Sequence, residues 1–275
     1  AADLGVTLIW AAPVKADAPE QVAVIEGLIE KQVDGIAISC NHPDALKDVL
    51  LRAIDAGIVV STFDADSPES GRAFYAGTKN YEAGIICGEW MIKLFEGNEK
   101  EQIKVAQLTG ILGAYDLEAR MSGFADAIEG TNIEVVYTGS CEDDVDKSVE
   151  LIEAYTRANP DIDAWFFDGG WPFFVQPDAL PELAAWRAAS EDHKLVTMDS
   201  FHPMLQFFDV DMVDVAIGQD FVAMGYLSVE NNYKLIMGEE IDAETNELGL
   251  FIDTGVETVT SENYEEVRAD KKPWD

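Results

Sequence analysis

The feature that most constrains the fold is a regular alternation of short apolar runs with longer segments whose apolar residues recur at helical spacing. "GVTLIW" (5–10) precedes "APEQVAVIEGLIEKQV" (18–33), "DGIAISC" (34–40) precedes "PDALKDVLLRAIDAG" (43–57), and "IVVSTFD" (58–64) precedes "NYEAGIICGEWMIKLFEG" (80–97). The rhythm continues through "IKVAQLTG" and "DLEARMSGFADAIEG", "IEVVYTG" and "DKSVELIEAYTRANP", "AWFFDGG" and a helix ahead of His193, then "KLVTMDS", "HPMLQFFDV", "VDVAIGQD" and the helix "VAMGYLSVENNYKLIMG". Strands that alternate with helices build a mostly parallel sheet flanked by helices on both faces, so the predicted class is α/β. Single cores stop growing at about 250–300 residues. A chain of 275 residues therefore has room for two lobes.

Charge narrows the partners. The chain carries 53 acidic and 18 basic residues, a formal net charge of −35. A field of that sign repels phosphate, which argues against nucleic acid and against anionic membrane surfaces. The acids are spread along the chain in "EGNEKEQ", "EDDVDK" and "SENYEEVRAD", the pattern of a solvated surface. No apolar run reaches the roughly 20 residues of a membrane span, and no signal-peptide pattern opens the chain. Cys40, Cys87 and Cys141 are too few and too scattered for a disulfide framework. His42, His193 and His202 show no metal-ligand spacing. No metal and no cofactor is expected.

In open α/β sheets ligands bind outside the carboxyl ends of the strands, so the residues that close each strand carry the functional signal. Here they are Trp10, Ser39 to Asn41, the "FDAD" around Asp64, the "TGILGAYD" leading to Asp116, "DGGW" with Asp168 and Trp171, "MDS" with Asp199, and "GQD" with Gln219. Carboxylates, amides and a guanidinium can each make paired hydrogen bonds to vicinal hydroxyls. Each aspartate alone could equally cap the helix that follows; polar endings on strand after strand favour a binding site. Asp116 and Arg120 lie four residues apart, which places both on one helix face.

The blocks "APEQVAVIEGLIEKQVDGIAISCNHPDAL", "IVVSTFDADSPESGRAFYAGTKNYEAG", "GAYDLEARMSGFADAI", "KLVTMDSFHPML", "VDVAIGQDFVAMGY" and "IDTGVETVT" resemble the type I periplasmic sugar-binding proteins, the ribose- and galactose-binding relatives of ABC importers. The similarity covers essentially the whole chain. It implies two lobes that close on a sugar, residues 1–78 with 220–253 and residues 79–219 with 254–275, joined by three hinge crossovers near 78–79, 219–220 and 253–254. It also implies that Asp64, Asp116, Arg120, Asp199 and Gln219 face the cleft and grip hydroxyls; Trp10 and Asn41 join them as candidate contacts from their place at strand ends. At "DGGW" the chain departs from the family: Gly169 and Gly170 stand where many relatives have an asparagine and an aspartate, and Trp171 is a candidate stacking face, with a core tryptophan as the alternative.

A second departure is at the start. "AADLGVTLIW" reads as the last turn of the family's first helix followed by its second strand, so the first strand and most of the first helix are expected to be missing, signal peptide included. The implied function is an extracytoplasmic, monomeric receptor that passes a monosaccharide to an ABC permease or to a chemoreceptor. The alternatives are the ligand-sensing domain of a LacI-like transcription regulator and a receptor for autoinducer-2-type signals. The sequence offers no nucleophile–base pair and no phosphate loop, so no catalytic residue and no enzyme is predicted.

Overall fold

A computed structural model describes residues 2–272. The elements in chain order are α1 (Ala18–Glu30), β1 (Gly35–Ile38), α2 (Pro43–Asp55), β2 (Val59–Phe63), β3 (Tyr75–Gly77), α3 (Asn80–Leu94), β4 (Ile103–Thr109), α4 (Tyr115–Ile128), β5 (Ile133–Ser140), α5 (Val145–Ala158), β6 (Ala164–Phe167), α6 (Pro181–Ala189), β7 (Lys194–Met198), β8 (Val215–Gln219), α7 (Phe221–Ile236), β9 (Glu244–Asn246), β10 (Gly249–Asp253), β11 (Val256–Thr260) and α8 (Tyr264–Asp270). The chain divides into two compact units. The first runs to Lys79 and takes in Gly113–Asp116 and Asp220–Gly255; the second holds Asn80–Leu112, Leu117–Gln219 and the chain from Val256 onward.

The helices begin where capping chemistry permits. The Asp17 carboxylate accepts the Glu20 N–H at 2.8 Å, Asp144 accepts that of Lys147 at 2.9 Å, and Asp220 accepts that of Ala223 at 2.8 Å, each satisfying a donor that the first helical turn leaves unpaired. Proline occupies the first turn of α1, α2 and α6, where its missing N–H costs nothing.

The first unit contains a sheet ordered β1-β2-β3-β10-β9, parallel except for the β9–β10 hairpin. Ile36, Ile38, Ile58 and Val60 pack one face against Ile25 of α1 and Leu46, Val49, Leu50 and Ala53 of α2. Alternation along β1 turns Gly35 to the other face, where Asn232 and Ile236 of α7 approach it. The Asn232 Nδ2 donates to the Ile36 carbonyl at 3.1 Å and ties that helix to the sheet.

The second unit contains a sheet ordered β11-β8-β7-β6-β4-β5, in which only β11 runs antiparallel. Its inner strands β4, β6, β7 and β8 are buried on both faces. Ala106, Leu108, Trp165, Phe167 and Leu195 join Ile152, Leu183 and Trp186 on one side, while Val105, Phe166, Val196 and Ile217 join Cys87, Met91 and Phe124 of α3 and α4 on the other. This is why "AWFF" and "VAIG" read as continuous apolar runs.

One expectation is corrected. "GVTLIW" forms no strand: Leu8, Ile9 and Trp10 are 61%, 47% and 85% exposed. β1 is the outermost strand of its sheet, and no described strand pairs with its outer edge. An apolar run becomes a strand only where a ladder partner satisfies its backbone. "HPMLQFFDV" forms a 3₁₀ turn over Met204–Phe207 whose Met204, Leu205 and Phe207 enter the second unit's core. The strands β3, β9 and β10 hold only three to five residues, too few to display a period in the sequence; β3 and β10 end at two of the crossovers that the resemblance implies.

Candidate functional site

In the first unit the polar cluster lies at the carboxyl ends of β1 and β2. Asp64 follows β2 with a left-handed φ of +59°, a conformation that aspartate tolerates better than most residues. It is held from several sides. Its N–H donates to the Ala76 carbonyl at 3.2 Å, its carbonyl accepts the Tyr75 hydroxyl at 2.7 Å, and its Oδ2 accepts the Ser39 hydroxyl at 2.9 Å. Asn41 lies one residue beyond Cys40 in the β1 exit loop. Its N–H donates to Gln21 Oε1 at 3.0 Å, and its Nδ2 is buried and meets no hydrogen-bond partner among the described residues. The next turn is fastened by a paired ion bridge. Arg72 Nε and Nη2 each donate to Asp66 at 2.6 Å, and Nη1 reaches the Leu250 carbonyl of β10 at 3.2 Å.

In the second unit one chain of hydrogen bonds runs across the ends of β4, β6, β7 and β8. Arg120 is 3% exposed; its Nε donates to Asn80 Oδ1 at 2.8 Å, its Nη1 to the Asp168 carbonyl at 3.1 Å and its Nη2 to Gln219 Oε1 at 3.0 Å. The Gln219 amide is thereby oriented, and its Nε2 donates to Asp199 Oδ1 at 2.8 Å. Asp199 Oδ2 accepts the Gly170 N–H at 2.7 Å, and Thr109 donates its hydroxyl to Asp168 Oδ2 at 2.8 Å. Asp199 repeats the device of Asp64: φ is +72°, and its N–H closes the ladder onto the next strand through the Ile217 carbonyl at 2.8 Å. Left-handed aspartates at matching strand ends are the kind of local strain that clusters at ligand sites.

Close helix contact makes this chain possible. A Cβ on Gly84 of α3 would lie 2.1 Å from the Arg120 carbonyl oxygen of α4. Only glycine lets the two helices approach so nearly, and that approach brings Asn80, at the start of α3, within reach of the guanidinium. Trp171 opens a 3₁₀ turn and is half-buried against the second unit's core. Cβ atoms on Gly110 and Gly169 would meet its ring at 2.6 Å and 2.7 Å. Gly110 and Gly169 thus make room for an indole laid across the ends of β4 and β6.

The structure joins Asp64 to Asn41 through Ser39 and Gln21 in the first unit, and Arg120, Gln219 and Asp199 in one chain in the second. Asp116 is buried in the first turn of α4 and groups with the first unit. Trp10 stands apart as an exposed ring on an irregular segment, which corrects its expected place at a strand end. Asn80, Gln21 and Tyr75 escaped the sequence reading as members of these clusters, and Thr109 and Asp168 were visible only as strand ends. Asn80 reads as an ordinary helix start and Asp168 as a cap, and no local signal names their distant partners.

These groups are suited to binding. Burial holds the Cys40 and Cys87 thiols well above the ordinary thiol range and pushes Cys141 up to about 12, so at neutral pH none is a thiolate nucleophile. Among the described residues no group of three or more His, Cys, Asp or Glu side chains could hold a metal ion, and no helix is long and apolar enough to cross a membrane.

Two α/β units whose parallel strands end in oriented carboxylates, amides and a buried guanidinium define a solute-binding protein in the type I periplasmic-binding-protein fold. The chain belongs to the family of the periplasmic binding protein domain, which it matches over residues 1–240. It is similar to the D-ribose/D-allose-binding protein of Pseudomonas aeruginosa, with 23% identity over 256 residues that span 90% of this chain and 76% of that protein. It is also similar to an ABC transporter solute-binding protein of Burkholderia graminis solved in complex with D-arabinose, with 33% identity, a TM-score of 0.80, and coverage of 92% of this chain and 84% of that one. A sugar-binding protein of a Bacillus halodurans sugar ABC transporter matches at 25% identity and a TM-score of 0.78, over 96% and 90% of the two chains. The family and these relatives are binding proteins, which favours the receptor reading over a transcription regulator and over an enzyme.

Proposed function

We propose that this protein captures a monosaccharide outside the cytoplasm and delivers it, chemically unchanged, to an ABC-type importer. The observation that carries the reading is the buried chain Asn80–Arg120–Gln219–Asp199–Gly170. A guanidinium, an amide and a carboxylate held in fixed order present both donors and acceptors, the combination that vicinal hydroxyls require. Asp64 and Asn41 offer the same chemistry in the first unit, Asp116 adds a buried carboxylate, and Trp171 offers a flat face for the C–H side of a sugar ring. The relatives' named ligands, D-ribose, D-allose and D-arabinose, make aldoses the first candidates. In this reading the chain works as a monomer.

Isothermal titration of the purified protein with D-ribose, D-allose, D-arabinose, D-xylose, D-glucose and D-galactose tests the proposal. Saturable binding of one sugar per chain is expected, with the sugar recovered unaltered. Absence of binding across the series, or turnover of the sugar, would overturn it. Pull-down of a permease from membranes of the source organism by the sugar-loaded protein tests the delivery step, and capture of none by a protein that binds sugar would leave a receptor without an importer.

A further inference from the structure

We infer that Gln21, a residue of α1 outside the predicted ligand set, is the positioning residue for the first unit's ligand contacts, and this inference rests on the binding role proposed for Asn41 and Asp64. Gln21 is 7% exposed, an unusual burial for a glutamine on a helix whose other fully buried side chain is Ile25. Its amide uses both ends on the loop that leaves β1. Nε2 donates to the Ser39 carbonyl at 2.7 Å, and Oε1 accepts the Asn41 N–H at 3.0 Å. The two peptide groups flank Cys40, whose own N–H donates to the Ala65 carbonyl at 2.9 Å.

One side chain therefore fixes the backbone on either side of Cys40 and sets where two neighbouring side chains aim. The first is Ser39, whose hydroxyl donates to Asp64 Oδ2 and so fixes which carboxylate oxygen is engaged. The second is Asn41, whose buried Nδ2 is unpartnered among the described residues. A buried donor without a partner is costly and rare in native proteins unless a function retains it. An amide is the side chain suited to this clamp. It donates at one end and accepts at the other, whereas glutamate would set an oxygen against the Ser39 carbonyl and methionine would satisfy neither group.

The test pairs Gln21→Met and Gln21→Glu with Asn41→Ala, in the full chain. Three quantities are read: affinity for the sugar found by titration, hydrogen exchange of the Asn41 amide, and the melting temperature without sugar. Gln21→Met is expected to weaken sugar binding about threefold to tenfold, the scale of one neutral hydrogen bond, and to speed exchange at Asn41. Gln21→Glu should speed exchange less, because Oε1 still accepts there. In the Asn41→Ala background, Gln21→Met should cost little further affinity, since a positioning residue acts through the residue it positions and the two effects do not add. A purely structural glutamine would lower the melting temperature while leaving affinity at the wild-type value, and that result, or full additivity with Asn41→Ala, overturns the inference alone. A wild-type chain that binds no sugar overturns the ligand reading and this inference with it.

Discussion

Arg120 serves two ends at once, and its substitution separates them. Three of its N–H groups go to Asn80, Asp168 and Gln219 inside the second unit, so Arg120→Ala leaves several buried acceptors short and is expected to destabilise that unit by about 1–3 kcal/mol. If the guanidinium also grips sugar hydroxyls, truncation in a desolvated site should cost about 2–5 kcal/mol of binding, roughly a thirtyfold to several-thousandfold loss. Arg120→Lys keeps the charge but cannot reach three diverging acceptors, and should recover part of the stability and little of the affinity. Titration calorimetry beside thermal melting reads both. A normal affinity in a measurably destabilised Arg120→Ala would assign the residue to the fold alone.

At the scale of elements, the pairing of α3 with α4 decides whether the polar chain can assemble. Gly84→Ala places a methyl group 2.1 Å from a backbone oxygen that no rotamer change can move, so the helices must separate. Overpacking of this kind costs about 1–3 kcal/mol, and the displacement should also weaken sugar binding through Arg120. Gly27→Ala in α1 is the matched control. Nothing lies within 4 Å of its Cβ position, and replacing a glycine inside a helix should stabilise by about 0.5–1 kcal/mol. Opposite shifts in melting temperature are the expected outcome, and a destabilised Gly27→Ala beside a silent Gly84→Ala would refute this account of the packing.

For the whole molecule the dominant quantity is charge. Several cations are already engaged, Arg52 with Glu26, Lys79 with Glu244 and Asp253, and Lys271 with Glu257, yet 53 acids against 18 bases leave a surplus of 35 negative charges. Self-repulsion of that surplus destabilises the compact state, and salt screens it with a Debye length of about 8 Å at 0.15 M. The melting temperature should rise as sodium chloride is raised from a few millimolar to about 1 M, and a flat curve would mean that the acids are compensated locally. Alkali acts through the thiols. In the unfolded chain a cysteine ionises near about pH 8.5, whereas burial keeps Cys141 protonated to about 12 and raises Cys40 and Cys87 as well. The folded state then holds more protons than the unfolded one. Stability should be unaffected by these groups below about pH 8.5 and fall as pH rises toward 12. Denaturant midpoints at stepped pH check the sign, with a Cys141→Ala variant showing a shallower decline.

By itself the sequence determined the α/β class and the position of most helices, because periodicity is local: the 3.6-residue repeat of "DKSVELIEAYTRA" suffices to place α5. It also marked the strand ends as polar, which brought Asn41, Asp64, Asp199 and Gln219 into view. Only the tertiary structure decided which of these groups meet. Arg120 and Asn80 are 40 residues apart, Arg120 and Gln219 are 99 apart, and no local period encodes a pairing across such a span. It decided as well that the apolar "GVTLIW" forms no strand, since a strand's backbone bonds belong to a neighbour that the run cannot specify. The same reason kept Gln21 out of the predicted set: on the sequence it is one polar residue of an amphipathic helix, and only the approach of the β1 exit loop gives its amide something to hold.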